Sequence, residues 1–212
     1  MKTRIIKRML SATLAMALIL APSMGAFAKT TEPASVSGNR GGTSSTQEAT
    51  VAAPAYKETS SVAGIKSAVS GVYVLEKGIG AAILTDAATI GQAFALEAGA
   101  KAYVKVTDMD VKKSNLAYQC MTNYAAALGA KVVGTINMEL GKMVAGKYSL
   151  LPATGEVAAA FSVPVAAQGQ TVAVLRVQEG GIVTLLQDTD PNPAVVAFNT
   201  VGGAAAYAII AY

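Results

Sequence analysis

Apolar positions recur along this chain in short bursts rather than long ones, and the rhythm of the bursts changes twice. From about Ser61 to the end, ten runs read as strands. They are Val72–Glu76, Ala81–Thr85, Ala102–Thr107, Lys131–Glu139, Lys147–Leu151, Val157–Val163, Thr171–Val177, Ile182–Gln187, Ala194–Asn199 and Ala205–Ala211. They are rich in β-branched residues, and most of the gaps between them hold Gly, Pro or Asp, which favour turns. Glu179-Gly180-Gly181 separates two such runs, so Thr171–Gln187 reads as a hairpin. One segment breaks this pattern. Over Ser114–Leu128, Ala117, Met121, Tyr124 and Leu128 recur at helical spacing, while Asn115, Gln119, Thr122 and Asn123 fall on the other side. Asp110 or Ser114 can cap its start, and Gly129 stands where a left-handed residue would end it. The pattern predicts one amphipathic helix packed on a sheet.

The first 28 residues follow a different rule. Lys2, Arg4, Lys7 and Arg8 precede an apolar run from Met9 to Leu20, and Ala26-Phe27-Ala28 supplies small residues at a cleavage site. The run is too short to span a bilayer, so the segment reads as a secretory signal peptide, with the mature chain starting at Lys29 and no membrane span left after cleavage. Residues 29–60 are poor in anything to bury, above all Ser35-Val-Ser-Gly-Asn-Arg-Gly-Gly-Thr-Ser-Ser-Thr46, and read as a disordered low-complexity linker. Residues 61–212 are long enough for one core and are expected to form a single β-sandwich domain.

Composition then narrows the function. The net charge of +4 resides in the signal peptide, because four of the 17 Lys and Arg lie there and the remaining 13 equal the 13 Asp and Glu. With only Lys112-Lys113 as a basic cluster, a nucleic-acid partner is not expected. The chain has no histidine, which removes Ser-His and Cys-His nucleophilic sites and His-ligated metals. Cys120 is the single cysteine, so the exported chain has no internal disulfide, and its neighbours Tyr118, Met121 and Tyr124 point to a buried small hydrophobe. Tryptophan is absent, which weakens a sugar-binding platform, although Tyr can substitute.

Three motifs suggest chemistry, and each has a plainer meaning. Leu151-Pro-Ala-Thr-Gly155 matches the sortase pentapeptide, yet strand-like sequence follows it and no basic tail ends the chain, so a turn between two strands is expected. Asp108-Met-Asp110 and Asp188-Thr-Asp190-Pro-Asn192 are the acidic clusters; Asp188, Asp190 and Asn192 are the metal candidates, since calcium takes several oxygen ligands. Neither cluster has the Gly and distant Glu of an EF-hand, and Asp and Asn also build turns, so no metal or other cofactor is expected. Gly78-Ile-Gly80-Ala-Ala-Ile83 lacks the third glycine of a dinucleotide loop and reads as a hairpin turn. No catalytic residue is assigned.

The final strands carry a resemblance. Val157-Ala-Ala-Ala-Phe-Ser-Val-Pro-Val165, Thr171-Val-Ala-Val-Leu-Arg-Val177, Gly180-Gly-Ile-Val-Thr-Leu-Leu186, Val195-Val-Ala-Phe-Asn-Thr200 and Ala206-Tyr-Ala-Ile-Ile210 run in order over about the last 60 residues. This series resembles the C-terminal Ig-like β-sandwich modules of secreted and surface proteins of Gram-positive bacteria. The resemblance implies an Ig-like sandwich and an extracellular setting; together with the strand and helix patterns above, the expected fold is mainly β, an antiparallel Ig-like β-sandwich with one inserted amphipathic helix near 114–128. The expected function is a secreted, non-catalytic structural or interaction module of a bacterial cell envelope, meeting an extracellular protein or glycan. A glycan- or peptide-binding module is the alternative, and an extracellular hydrolase a third reading.

Overall fold

The computed structural model describes residues 60–212. The signal peptide and, apart from Ser60, the linker lie outside the described residues. Among these described residues the fold is mainly β, with two α-helices. Strands β1 (Ser61–Val62) and β2 (Ile65–Lys66) form a small hairpin. All ten expected strands follow, with shifted ends: β3 (Gly71–Val74), β4 (Ala81–Ile83), β5 (Lys101–Asp108), β6 (Lys131–Val144), β7 (Lys147–Leu150), β8 (Glu156–Ser162), β9 (Val172–Val177), β10 (Val183–Gln187), β11 (Val195–Val201) and β12 (Gly203–Ala211).

They build two larger sheets. The seven-stranded sheet runs β10-β9-β12-β6-β5-β3, with β7 also paired to β6. Strand β6 is long enough to hold two neighbours on one edge, β12 along Lys131–Leu140 and β7 along Gly141–Val144. The three-stranded sheet runs β11-β8-β4. The β9–β10 hairpin forms as expected, with Val177 opposite Val183.

Two expectations fail on topology. The large sheet is mixed rather than antiparallel, because β3 pairs β5 in parallel, Gly71 beside Val104 and Val74 beside Thr107. Parallel neighbours need a crossover, and here the chain leaves through β4 and a helix before returning as β5. Gly78 and Gly80 therefore make no hairpin: the strands on either side of them belong to different sheets, β3 to the large one and β4 to the small one. The Leu151–Gly155 turn likewise carries the chain from one sheet to the other.

Both larger sheets contribute to one core. Phe161 on β8 and Phe198 on β11 meet edge-on at 4.8 Å between ring centres, and Phe161 meets Tyr207 of β12 at 5.5 Å. Val104, Val106, Ile136, Met138, Leu140, Val174 and Ile209 complete the large sheet's contribution. The opposite face of the large sheet meets helix α2 (Asn115–Ala127), which lays Met121 and Ala125 on Ala173, Leu175, Ala206, Ala208 and Ile210. Strand β9 is thus covered on both faces and is buried at all six positions, Arg176 included, whereas β5 is covered on one and alternates.

The helix follows its expected limits but not all of its expected face. Ala125 takes the buried place, and Leu128, the capping residue just past the helix end, is 37 % exposed. Gly129 holds φ 73°, as a left-handed terminator should, and the next amide, of Ala130, donates to the Ala125 carbonyl. At the start, the Ser114 side chain caps nothing; the Asp110 carboxylate accepts from the amides of Lys112 and Lys113 instead.

A second helix, α1 (Ala87–Ala93), was not expected. Asp86 caps it by accepting from the Thr89 amide at 2.9 Å and from the Thr89 hydroxyl. Those bonds hold the Asp86 carboxyl below its usual range. Seven residues with only Ile90 fully buried leave no periodic stripe to read.

Candidate interaction surface

Alternation along β5 sends Ala102, Val104 and Val106 into the core and Lys101, Tyr103, Lys105 and Thr107 to the other face. Register carries that face across the sheet: Tyr103 lies opposite Gly141, Lys105 opposite Glu139 and Thr107 opposite Asn137. Strand β7 adds Tyr148, opposite Met143. Helix α2 packs over β9, β12 and the start of β6 on this same face, so the part over β5, β7 and the middle of β6 stays open.

The open part is organised around Gly141. The Tyr148 ring lies against it, and a Cβ there would stand 2.5 Å from two of the ring carbons. Only glycine lets the ring reach along β6, where its hydroxyl donates to the Glu139 carbonyl at 3.3 Å. Tyr103 meets the ring edge-on at 6.0 Å. The Lys105 ammonium sits 3.9 Å from the ring centre and 3.8 Å from the Glu139 carboxylate. Burial raises the Tyr148 phenol above its ordinary value, with the Glu139 charge and then Tyr103 adding to the effect. Lys105 and Glu139 remain partly open to solvent, at 41 % and 44 % of their side chains, so their pairing orders the surface more than it stabilises the fold.

Beside this cluster runs a groove of about 440 Å³. It is lined by residues that include Thr107, Ala117 of α2, Asn137, Glu139, Glu179 and Ala204. Amide, carboxylate and hydroxyl groups among small residues can accept and donate hydrogen bonds to an extended polar ligand.

The sequence candidates fall elsewhere. Asp188, Asp190 and Asn192 do come together, but as a ladder of turns. Asp188 Oδ1 accepts from the amides of Asp190 and Ala197, Asp190 Oδ1 from Asn192, and Asn192 Oδ1 from Ala194. The Thr189 amide also donates to the Ala197 carbonyl, so the loop covers the edge of β11 at that residue. A groove of about 340 Å³ borders this loop, with Gln170 and Thr171 on its far side. Asp108 and Asp110 serve separate segments: Asp108 Oδ2 accepts from the amides of Glu76 and Lys77, while Asp110 holds the start of the helix region. Among the described residues, no three of His, Cys, Asp and Glu gather as a metal-holding group. Cys120 is only half-buried, not buried as expected, because it lies on α2 beside the helix–sheet contact rather than in it. Within Leu151–Gly155, Leu151 is buried and the other four residues are exposed.

The Tyr–Lys–Glu cluster escaped sequence reasoning. The spacing of Tyr103 and Lys105 on one face was readable from alternation, but Glu139 and Tyr148 join them only through strand register. One further group was missed. Arg176 is 9 % exposed in the core, hydrogen-bonded only to the hydroxyls of Thr200 and Thr184, and its Nε has no partner among the described residues. The chain matches no protein-family model, no curated protein and no solved structure.

Proposed function

We propose that this chain is a secreted, non-catalytic interaction module of a bacterial cell envelope, and that it works through the open face over β5, β6 and β7. The observation that carries this reading is the Tyr103–Lys105–Glu139–Tyr148 cluster: aromatic and charged groups preset by one another on a sheet face that α2 leaves bare. The leader and linker sequences support export. The shared core of the two sheets and the C-terminal order of strands support the finer reading of an Ig-like sandwich, here with a helix laid on the outer face of one sheet.

A narrower reading, a glycan-binding module, draws on the adjoining groove, where Thr107, Asn137, Glu139 and Glu179 offer hydrogen-bonding groups next to two tyrosines. A glycan and peptide array probed with the exported protein tests both. Binding that disappears in Tyr148→Ala and Lys105→Ala supports the surface, and a glycan-only pattern selects the narrower reading. Binding unchanged by both substitutions places the working surface elsewhere, and turnover of an arrayed compound refutes the non-catalytic reading.

A further inference from the structure

Sheet edges offer unpaired backbone groups, and proteins usually cover, shorten or charge them. Here Asp188 and Thr189 engage the Ala197 amide and carbonyl on the edge of β11. Strand β4 is closed by Ser67 and Ala68: the Ile83 amide donates to Ser67 Oγ, and its carbonyl accepts from the Ala68 amide. Strand β3 has four residues. Strand β10 differs. Val183-Thr-Leu-Leu-Gln187 has five residues, no charge, no proline and no bulge, and it ends the large sheet. Ile182, just before it, is 62 % exposed.

Its hydrogen-bonding phase follows from the hairpin. The Gln178 amide donates to the Ile182 carbonyl, so bonded pairs alternate from there, with Thr184 and Leu186 turned toward β9. Val183, Leu185 and Gln187 therefore turn their amides and carbonyls outward. No backbone hydrogen bond within the described residues uses them.

We propose that β10 pairs with β10 of a second copy, antiparallel about Leu185, joining the two large sheets into one. The strand is self-complementary in this register. Leu185 faces itself, Val183 faces Gln187 and Thr184 faces Leu186, with no like charges opposed. A two-fold axis uses the same patch on both copies, as a closed dimer requires. Strand β10 stands at the other end of the large sheet from β3 and β5, so pairing leaves both Tyr103–Tyr148 surfaces open and makes the assembly bivalent. The pairing rests on strand chemistry and is independent of what that surface binds.

Light scattering on the exported protein tests it, with circular dichroism establishing that each variant is folded. The wild type should have twice the protomer mass. Val183→Lys with Gln187→Lys opposes like charges at both ends of the pair and should weaken the dimer about tenfold or more. Val183→Lys with Gln187→Glu puts opposite charges there and should restore it. A monomeric wild type at its highest soluble concentration overturns the proposal, as does a dimer indifferent to the double lysine change. A second measurement avoids those substitutions. In a Cys120→Ala background, oxidised Leu185→Cys should form a covalent dimer, because hydrogen-bonded antiparallel partners place their Cα atoms about 5.5 Å apart, within disulfide range. Thr154→Cys, on an exposed turn, should not. Failure to cross-link at position 185, or equal cross-linking at both positions, overturns the pairing.

Discussion

Replacing Arg176 by methionine should stabilise this protein. The guanidinium lies between β9 and β11 with 9 % of the residue exposed, and no carboxylate pairs with it among the described residues. Its hydrogen bonds run to Thr200 Oγ1 at 3.3 Å and to Thr184 Oγ1 at 3.4 Å, both long, and Nε has none. Charged donors return about 1.5–3 kcal/mol per good hydrogen bond, and these two fall at the weak end. Against them stand an effective desolvation cost of several kcal/mol for the buried ion and about 1–3 kcal/mol for the unsatisfied Nε. Methionine keeps an unbranched stem in the same space and removes the charge. Thr200 retains its partner, because its hydroxyl lies 2.8 Å from the Tyr207 hydroxyl. The expected gain is about 1–3 kcal/mol, in line with other buried charges replaced by apolar groups. Urea unfolding of both proteins measures it, as a rise in midpoint at unchanged slope. Arg176→Ala, which also loses the stem, should fall below Arg176→Met by about 2 kcal/mol, at about 0.8 kcal/mol per methylene lost. If Arg176→Met loses about 2 kcal/mol or more with its slope unchanged, the guanidinium is a net stabiliser and the accounting fails.

Met121→Asp sets an unpaired charge against the sheet and should cost about 3 kcal/mol or more, while Asn123→Asp on the exposed side of α2 should cost little; equal unfolding midpoints would contradict the helix packing. Cys120, half-buried, should react with a thiol reagent more slowly in native protein than in denaturant, and equal rates would place it off the sheet. Burial raises the Tyr148 and Tyr207 phenols, so the folded state holds those protons more tightly than the unfolded chain. Their contribution to stability is complete below about pH 10, the unfolded value, and is lost as pH rises through the folded values. Ultraviolet titration should show both phenolates forming later than those of an unfolded control. N-terminal sequencing of the exported protein should begin at Lys29, and Thr154→Ala should leave its localisation unchanged; a retained Met1, or release from the envelope on that substitution, would refute these readings.

Alternation and turn chemistry are local, and they located ten strands, the β9–β10 hairpin and helix α2 within a few residues. Gly129 ends α2 because a left-handed residue is a backbone requirement visible in sequence. The same locality explains the misses. Helix α1 has one fully buried residue and so no stripe, although Asp86 and Thr89 stood in capping positions. Gly78 and Gly80 looked like a hairpin because a turn signal says that the chain bends and not which sheet it bends toward.

Pairing across distance was decided only by the tertiary structure. Strand β3 joins β5 in parallel with Gly71 lying against Val104, where no Cβ would fit, but the local pattern does not say which strand that glycine will meet. Of the Asp188, Asp190 and Asn192 oxygens, readable as metal ligands, one of each accepts a backbone amide within its own turn, and Asp188 Oδ1 accepts a second from Ala197 once β11 comes alongside. The Tyr103–Lys105–Glu139–Tyr148 cluster needs three strands in register and a glycine at position 141 for the ring to lie on. By itself, then, the sequence determined what each segment becomes, because propensity and periodicity act over a few residues. Which segments meet, and so which side chains share a surface, was settled by the burial of apolar faces between elements far apart in the chain.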